Sequence, residues 1–248
     1  MKIKIDGIEV DVISGETILE AARRAGIHIP TLCYHEAFGG QGICRMCIVE
    51  VKEGNRTRLV ASCTYPVNGE IEVKTSTPEI ERIRRNIVML LYRRAPNSEF
   101  MKKLYEEYGR PGDITPSDPE ESCIMCRLCV RACEKVGANA ISAVLRGTEK
   151  RVSTPYDEPS PDCIGCCACA QVCPTGTIRV STMPGKYEIW NKAFEMDRCE
   201  SCSRPFVPQV ILEHVRSKLG PDFTEEHLCP DCRKKKTGKI IADSHLSK

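Results

Sequence analysis

The sequence predicts a multi-module α+β protein in which bound metal, rather than one large apolar core, holds the modules together. Seventeen of the 248 residues are cysteine, and small domains that bury too little apolar surface need such staples. The N-terminal segment alternates apolar and polar residues and then takes on a helical pattern, which is typical of a small mixed domain. Two later segments repeat the spacing C-x2-C-x2-C-x3-C, which predicts clustered metal ligands.

The composition argues against several classes of protein. Thirty-six basic and 34 acidic residues leave a net charge of +2, which lacks the basic excess of a general nucleic-acid-binding protein. No stretch approaches the ~18 apolar residues needed to span a bilayer, and the first residues lack the apolar region of a secretory signal. Dense cysteine in this context favours metal or redox chemistry over disulfides. We therefore expect a cytoplasmic protein with no direct membrane span and no nucleic-acid partner.

Residues 1–76 predict a β-grasp domain. Isoleucine and valine alternate between residues 2 and 12 around the turn dipeptide Asp6-Gly7, which predicts a hairpin. Thr17 and Glu20 form a capping box before an apolar helical face. Candidate strands follow at residues 48–51, 59–61 and 71–73.

Four cysteines lie inside this module at the spacing C-x10-C-x2-C-x15-C. They are Cys33, Cys44, Cys47 and Cys63. Two thiolates on each iron can hold a [2Fe–2S] cluster, although plant-type ferredoxins have a shorter first gap, C-x4-C-x2-C. The glycine-rich loop 38–43 fills the gap here, and its glycines allow the backbone to approach the sulfides and donate N–H groups. Zinc on these cysteines and phosphate on this loop are the alternatives, but no strand–glycine–helix context supports phosphate.

Residues 77–121 predict a helical connector. Thr77-Pro78 begins a helix with one apolar side, and a second short helix over residues 100–108 ends at Gly109. Residues 110–121 contain three prolines and a glycine, which indicates an irregular segment.

The two cysteine runs lie in a module of residues 122–182 that predicts a dicluster ferredoxin domain. In two-cluster ferredoxins the fourth cysteine of each run ligates the other cluster. The sequence therefore predicts one [4Fe–4S] cluster on Cys123, Cys126, Cys129 and Cys173, and a second on Cys163, Cys166, Cys169 and Cys133. A zinc interpretation would leave several thiols unused in each run, because zinc sites usually consist of two separated C-x2-C pairs.

Two residues of this module admit two interpretations each. Cys167 falls outside the ligand pattern and is either a buried spare thiol or an alternative ligand. Arg127 lies beside the first predicted [4Fe–4S] cluster. Its guanidinium either raises the reduction potential of that cluster or points to solvent or a partner. Between the runs, residues 138–144 and 150–154 form either a short helix or strands.

Residues 183–248 predict a zinc-ribbon-like extension with a basic tail. Two C-x2-C pairs bracket a helix with an apolar side, and their cysteines are Cys199, Cys202, Cys229 and Cys232. Four thiolates in two such pairs favour tetrahedral Zn²⁺, with the metal replacing a core that is too small. A third [4Fe–4S] cluster is the alternative. The basic run 233–236 is interpreted as a solvated tail or a docking surface.

In order and spacing, these motifs resemble a known family of iron–sulfur subunits. They resemble the N-terminal part of the 75-kDa-type subunit of NADH dehydrogenases (complex I). They also resemble the diaphorase subunits of NAD-linked hydrogenases, formate dehydrogenases and electron-bifurcating transhydrogenases. The resemblance covers about residues 1–182 and is carried by residues 42–51, 123–134, 146–147, 157–159 and 163–176.

The chain departs from this family in one respect. The family normally places another cluster between these modules, held by H-x3-C-x2-C-x5-C, whereas residues 64–122 contain no cysteine and no histidine. Either the [2Fe–2S] centre lies closer to the other clusters than in the family, or it moves to pass electrons.

The resemblance implies an electron-transfer subunit without a catalytic site of its own. It would relay single electrons between the flavin of an NAD(P)H-oxidising flavoprotein and a ferredoxin or further catalytic subunit, within a hetero-oligomer. Electron bifurcation is among the reactions of this family. No nucleotide or flavin motif is present in the chain. One alternative is the iron–sulfur subunit of a succinate dehydrogenase or fumarate reductase, against which the wide Cys33–Cys44 gap argues. The other is a zinc-rich scaffold or nucleic-acid-binding protein.

Overall fold

The computed structural model describes residues 1–110, 112–220 and 227–246. It divides into two compact units. The first unit comprises Met1–Ala132 and Val172–Thr177, and the second comprises Cys133–Gln171 and Ile178–Lys248. Pro111 of the predicted connector and the end of the predicted basic tail lie outside the described residues. Within the described ranges, no helix combines the length and the apolar character needed to cross a membrane.

The first unit begins with a five-stranded mixed sheet in the order β2-β1-β5-β3-β4. Its strands are β1 (Lys2–Ile5), β2 (Ile8–Asp11), β3 (Ile48–Glu53), β4 (Arg56–Ala61) and β5 (Glu72–Lys74). Strands β1 and β5 are parallel, and the other neighbours are antiparallel. Helix α1 (Ile18–Arg24) begins at the predicted capping box of Thr17 and Glu20 and buries Ile18 and Leu19. The predicted hairpin, helix and returning strands are therefore confirmed.

Two helices follow the sheet. Helix α2 (Pro78–Arg94) begins at Thr77, whose side chain accepts a hydrogen bond from the Ile80 N–H, and helix α3 (Glu99–Glu107) begins at Ser98. Both helices were predicted. They contribute to a buried apolar core that also contains cysteines from two predicted ligand sets. Its members include Val88, Met101, Cys33, Cys44, Met46 and Cys126.

Arg84 joins α2 to the sheet. The side chain is 4% exposed. Its Nε donates a hydrogen bond to the Met46 carbonyl (3.1 Å), and its Nη2 donates to the carbonyls of Ile48 (2.9 Å) and Thr75 (3.0 Å). Its Nη1 lies 3.1 Å from the carboxylate of Glu81. A buried charge needs such partners, and these partners fix the backbone on both sides of Cys47.

The second unit contains two small sheets. Strands β6 (Ser142–Val144) and β7 (Arg151–Ser153) pair antiparallel. Of the two predictions for residues 138–144 and 150–154, a short helix or strands, the strands are therefore confirmed. A four-stranded sheet, which the sequence did not predict, has the order β11-β10-β9-β8. Its strands are β8 (Ser181–Met183), β9 (Lys186–Ile189), β10 (Lys192–Arg198) and β11 (Pro205–Pro208).

The remaining helices accompany the cysteine runs and the C-terminal pairs. Helix α4 (Leu128–Val136) carries cysteines of both predicted [4Fe–4S] sets, and α5 (Ala168–Gln171) carries Cys169. Helix α6 (Gln209–Leu219) is the predicted helix between the C-terminal pairs and ends at Gly220 (φ 88°). The basic run belongs to α7 (Pro230–Leu246), and its side chains are exposed.

Replacing Arg84 by methionine should destabilise the first unit by ~3 kcal/mol or more, because three buried carbonyls lose a charged donor and each such loss costs about 1–3 kcal/mol. Urea unfolding followed by far-UV circular dichroism measures the change. Arg85→Met on the exposed side of the same helix is the matched control, with an expected change within about 0.5 kcal/mol. Equal unfolding midpoints for the two variants would contradict a structural role for Arg84.

Candidate metal centres

The four cysteines of the N-terminal module are buried. Hydrogen bonds with Cys44 and Cys63 lower the pKa of the Cys33 thiol. A hydrogen bond with Cys63 likewise lowers the pKa of Cys47. The four sulfurs thus form one contiguous group, as the sequence predicted for a [2Fe–2S] site.

The glycine-rich loop closes tightly around this group. The Cys44 N–H donates to Cys33 Sγ (3.5 Å). Contacts with Cys33 and Cys47 raise the pKa of Cys63, whereas the Gly42 N–H donates to the sulfur of Cys63 and lowers this pKa by less. A Cβ atom on Gly40 would lie 2.5 Å from Cys63 Cβ and 2.7 Å from Cys63 Sγ. The residues therefore fit a [2Fe–2S] cluster, because backbone donors and sulfurs converge where no side chain can enter.

The first unit also assembles the first predicted [4Fe–4S] set. Burial, together with repulsion from neighbouring cysteines that include Cys123 and Cys173, raises the pKa of Cys126 to about 11 and that of Cys129 to about 12. Cys173 therefore lies with three cysteines of the other run, as the exchange of the fourth ligand predicts. Thiols that resist ionisation in a dry site become thiolates when a metal supplies positive charge, so this set fits a cluster.

The second unit assembles the second predicted [4Fe–4S] set. Cys133, Cys163, Cys166 and Cys169 line one cavity. Burial raises the pKa of Cys169 to about 11, against a hydrogen bond from the Trp190 indole (Nε1 to Sγ, 3.5 Å). The Ala140 N–H donates to Cys133 Sγ (3.2 Å).

Cys167 lines the same cavity but has a different partner. Burial raises the pKa of its thiol, against a hydrogen bond from the Tyr187 hydroxyl. This contact favours the spare-thiol interpretation, because Cys167 is held by a residue of the C-terminal extension.

The C-terminal cysteines form a much tighter group. The sulfurs of Cys199, Cys202, Cys229 and Cys232 all lie within 4.8 Å of one another. The sulfurs of Cys202 and Cys229 are 3.8 Å apart, which equals the ~3.8 Å edge of a tetrahedron with Zn–S bonds of about 2.3 Å. A [4Fe–4S] cluster would place irons and sulfides between the thiolates and hold them further apart. The geometry therefore fits a single tetrahedral ion.

Hydrogen bonds prepare this group for a cation. The Cys229 N–H donates to Cys199 Sγ (3.3 Å) and lowers the pKa of that thiol to about 6. The N–H of Cys232 and then Arg204, whose Nη2 lies 3.3 Å from the sulfur, lower the pKa of Cys229. Hydrogen bonds thus favour the thiolate form of both residues, which is the form that binds metal.

Direct contacts join the N-terminal cysteine loop to the first [4Fe–4S] set. Gln41 Nε2 donates to the Cys126 carbonyl (3.2 Å), and Arg131 Nη2 donates to the Phe38 carbonyl (2.8 Å). Cys33, Cys44 and Cys126 belong to one buried core. These contacts hold the loop between Cys33 and Cys44 against the first [4Fe–4S] set.

Sequence reasoning missed four residues around these sites: Arg84, Gln41, Trp190 and Lys192. The Lys192 Nζ donates a hydrogen bond to the Cys163 carbonyl (2.7 Å). Only the alternation on either side of Trp190-Asn191 could have indicated a hairpin. Both interpretations of Arg127 stay predictions. Its Nε is buried and has no hydrogen-bond partner among the described residues.

Two family models match the chain. Residues 1–78 match a 2Fe-2S iron-sulfur cluster binding domain, and residues 122–177 match a 4Fe-4S dicluster domain. The iron–sulfur interpretation of these modules and the multi-module α+β fold are thereby confirmed.

Several known proteins are similar to the chain. An NADH-quinone oxidoreductase subunit of Rhizobium meliloti is 31% identical over 82% of this chain and 26% of its own length. The NADPH-Fe(3+) oxidoreductase subunit alpha of Geobacter sulfurreducens is 32% identical over 72% of this chain and 24% of its own length. The NADP-reducing hydrogenase subunit HndD of Solidesulfovibrio fructosivorans is 33% identical over 72% of this chain and 36% of its own length. The chain thus spans about a quarter to a third of these relatives.

A solved structure has the same fold over much of the chain. It is a chain of an NAD+-reducing [NiFe]-hydrogenase in the H2-reduced state, with 27% sequence identity and a TM-score of 0.62. The match covers 71% of this chain and 85% of the hydrogenase chain.

Replacing Gly40 by alanine should abolish most [2Fe–2S] binding, because the added methyl overlaps Cys63 and must displace a ligand. Electron paramagnetic resonance of the anaerobically purified, reduced protein measures the [2Fe–2S] signal. Gly69→Ala is the matched control, since a Cβ there meets nothing within 4 Å. A full [2Fe–2S] signal in Gly40→Ala would show that the loop does not close on the cluster.

Proposed function

We propose that this chain, a homologue of iron–sulfur subunits of NADH- and NADPH-linked oxidoreductases and hydrogenases, relays single electrons between a flavin on a partner chain and a ferredoxin or further catalytic subunit. Its bound clusters, one [2Fe–2S] and two [4Fe–4S], would supply the one-electron carriers. The observation that carries the proposal is that Cys33 and Cys44 of the N-terminal set share one buried core with Cys126 of the first [4Fe–4S] set, and that Gln41 donates a hydrogen bond to the Cys126 carbonyl.

The assignment of ligands follows from these groupings. We assign the [2Fe–2S] cluster to the N-terminal four cysteines. Each [4Fe–4S] cluster takes three cysteines from one run and the last cysteine of the other. The chain's own contribution is to exclude water from the sulfurs and to aim backbone N–H groups at them, which sets the potential and keeps it stable.

The relatives' names guide the choice of partners. They are named as subunits of NADH, NADPH and hydrogenase systems, which supports a hetero-oligomer with an NAD(P)H-oxidising flavoprotein. We place this complex in the cytoplasm, because sixteen of the seventeen cysteines fall in the assigned metal-binding sets and a reducing compartment keeps such ligands from forming disulfides. We also propose that the chain consists of the four predicted modules, with boundaries near residues 76, 121 and 182.

We assign Zn²⁺ to the C-terminal four cysteines. A tetrahedral S4 site suits zinc or a single iron. Zinc is favoured because the four thiolates leave no open position and two of them are held by hydrogen bonds, as in a closed structural site. The metal would then stabilise the extension without carrying electrons.

Replacing Cys202 by serine should remove about one zinc per chain and leave the iron content unchanged, because the metal loses one of four ligands. Inductively coupled plasma mass spectrometry of anaerobically purified protein measures both metals. The matched control is Cys167→Ser, which removes a cysteine outside every assigned set and should retain the zinc. Loss of iron instead of zinc from Cys202→Ser would identify the site as iron-binding.

Replacing Cys44 by serine should slow reduction of the [4Fe–4S] signals by NADH or NADPH at least about tenfold, equivalent to about 1.4 kcal/mol in the barrier, while the partner's flavin is still reduced. The experiment uses the native complex, purified anaerobically through a tag on this chain, with freeze-quench paramagnetic resonance as the readout.

Gln41→Leu tests the same route with every ligand retained, and Gln209→Leu on an exposed position is its control. We expect slower reduction of the [4Fe–4S] signals in Gln41→Leu alone. The proposed function is wrong if no flavoprotein purifies with the chain, or if Cys44→Ser reduces its [4Fe–4S] signals at the original rate.

A further inference from the structure

Hairpin β9–β10 of the C-terminal extension lies against the second [4Fe–4S] set. Lys192 pairs with Ile189 across a two-residue turn formed by Trp190 and Asn191. Both turn residues have positive φ, 53° and 58°, which is the type I′ geometry that suits a twisted hairpin. A bulky indole rarely occupies such a position. Here the turn brings Trp190 Nε1 to 3.5 Å from Cys169 Sγ, with the N–H donating.

Lys192 places a positive charge on the loop of the same set. Its Nζ donates hydrogen bonds to the carbonyls of Cys163 (2.7 Å), Ser160 (2.9 Å) and Pro161 (3.0 Å). The ammonium group therefore holds the backbone that leads into Cys163 and brings its charge close to the cysteines. A Lys192 side chain in solvent would do neither.

The hairpin and the cysteine loop approach so closely that only glycine fits between them. A Cβ on Gly165 would lie 2.8 Å from the Tyr187 hydroxyl oxygen and 2.8 Å from Phe194 Cγ. Tyr187 and Phe194 are buried and lie with ring centroids 5.6 Å apart. The Tyr187 hydroxyl also bonds the Cys167 thiol. Two aromatic side chains thus cover the loop that carries Cys163 and Cys166.

The tetrahedral cysteine group holds the other end of the same sheet. Strand β10 ends at Arg198, directly before Cys199. Strand β11 pairs with β10, and Val207 lies opposite Asp197. His227 Nδ1 lies 2.6 Å from the Asp197 carboxylate. A metal at the C-terminal cysteines would therefore fix the strand on which Lys192 is carried.

We propose that hairpin β9–β10 covers the second [4Fe–4S] site and raises its reduction potential, through the Trp190 N–H on Cys169 and the Lys192 charge beside Cys163. The proposal rests on the proposed function, which places a cluster on this set. Reduction of a cluster adds one electron and forms no bond. An N–H donor and a nearby cation both stabilise the more negative reduced state.

A redox titration followed by paramagnetic resonance tests the proposal on the anaerobically purified full chain with its clusters. Trp190→Phe keeps an aromatic ring but removes the N–H donor. We expect the reduction equilibrium of one [4Fe–4S] signal to become three- to tenfold less favourable, a midpoint lower by about 28 to 59 mV for a one-electron couple. Lys192→Gln should lower the midpoint of the same signal. The [2Fe–2S] signal and the other [4Fe–4S] signal should keep their midpoints.

Lys186→Gln is the matched control. It removes one positive charge from the same hairpin, but Lys186 pairs with Glu195 on the neighbouring strand. Its expected midpoints are those of the original protein. Gly165→Ala should push the hairpin away and speed the loss of one [4Fe–4S] absorbance in air, which a remote surface change would not do.

The outcomes separate this proposal from the proposed function. Unchanged midpoints in Trp190→Phe and Lys192→Gln, with iron and sulfide retained, overturn the role of the hairpin and leave the relay intact. An equal shift of all three signals, or a Lys186→Gln shift as large as that of Lys192→Gln, also overturns it. If Trp190→Phe loses its cluster, the midpoint of the same [4Fe–4S] signal in Lys192→Gln decides whether the proposal stands. Absence of a second [4Fe–4S] signal from the unsubstituted chain would instead contradict the proposed function.

Discussion

The exchange of one cysteine between the two C-x2-C-x2-C-x3-C runs is the constraint on which the structure depends. In the proposed ligand assignment, a cluster site is complete only when Cys173 joins the first run and Cys133 joins the second. The compact units divide the chain at these same places, between Ala132 and Cys133 and between Gln171 and Val172. Under this assignment, neither run can form its site alone.

The connector replaces an intermediate cluster with protein contacts. Residues 64–122 carry no cysteine or histidine, and helices α2 and α3 fill that stretch with an apolar core shared by Cys33 and Cys126. Arg84 fixes the backbone around Cys47, and Gln41 reaches the next cysteine set directly. Gln41 lies in the loop between Cys33 and Cys44, so this loop provides a direct contact between the two cysteine sets.

Features that depend on local spacing could be predicted from the sequence. The capping box at Thr17, the start of α2 at Thr77 and the spacing within each cysteine run follow from residues a few positions apart, whereas the exchange of Cys133 and Cys173 was predicted from the pattern of two-cluster ferredoxins. The contact between Gln41 and Cys126 could not be predicted, because 85 positions separate the two residues. The four-stranded sheet was missed for another reason: β8 is exposed throughout, and Trp190-Asn191 is not one of the dipeptides that indicate a type I′ turn. Arg84 resembled an ordinary surface charge, since its buried carbonyl partners lie on other elements.

With hairpin β9–β10 over the second [4Fe–4S] site, the type of cluster that binds and the reduction potential of that cluster depend on different residues. The cysteines determine which cluster binds, whereas N–H donors and charges near the sulfurs determine its potential. Here the donors Trp190 and Lys192 belong to a hairpin outside the matched dicluster domain, which ends at residue 177. Under the proposal above, a change in that hairpin would adjust one potential without replacing any ligand. The tetrahedral cysteine group closes the same sheet, so loss of the metal proposed there should loosen the cover.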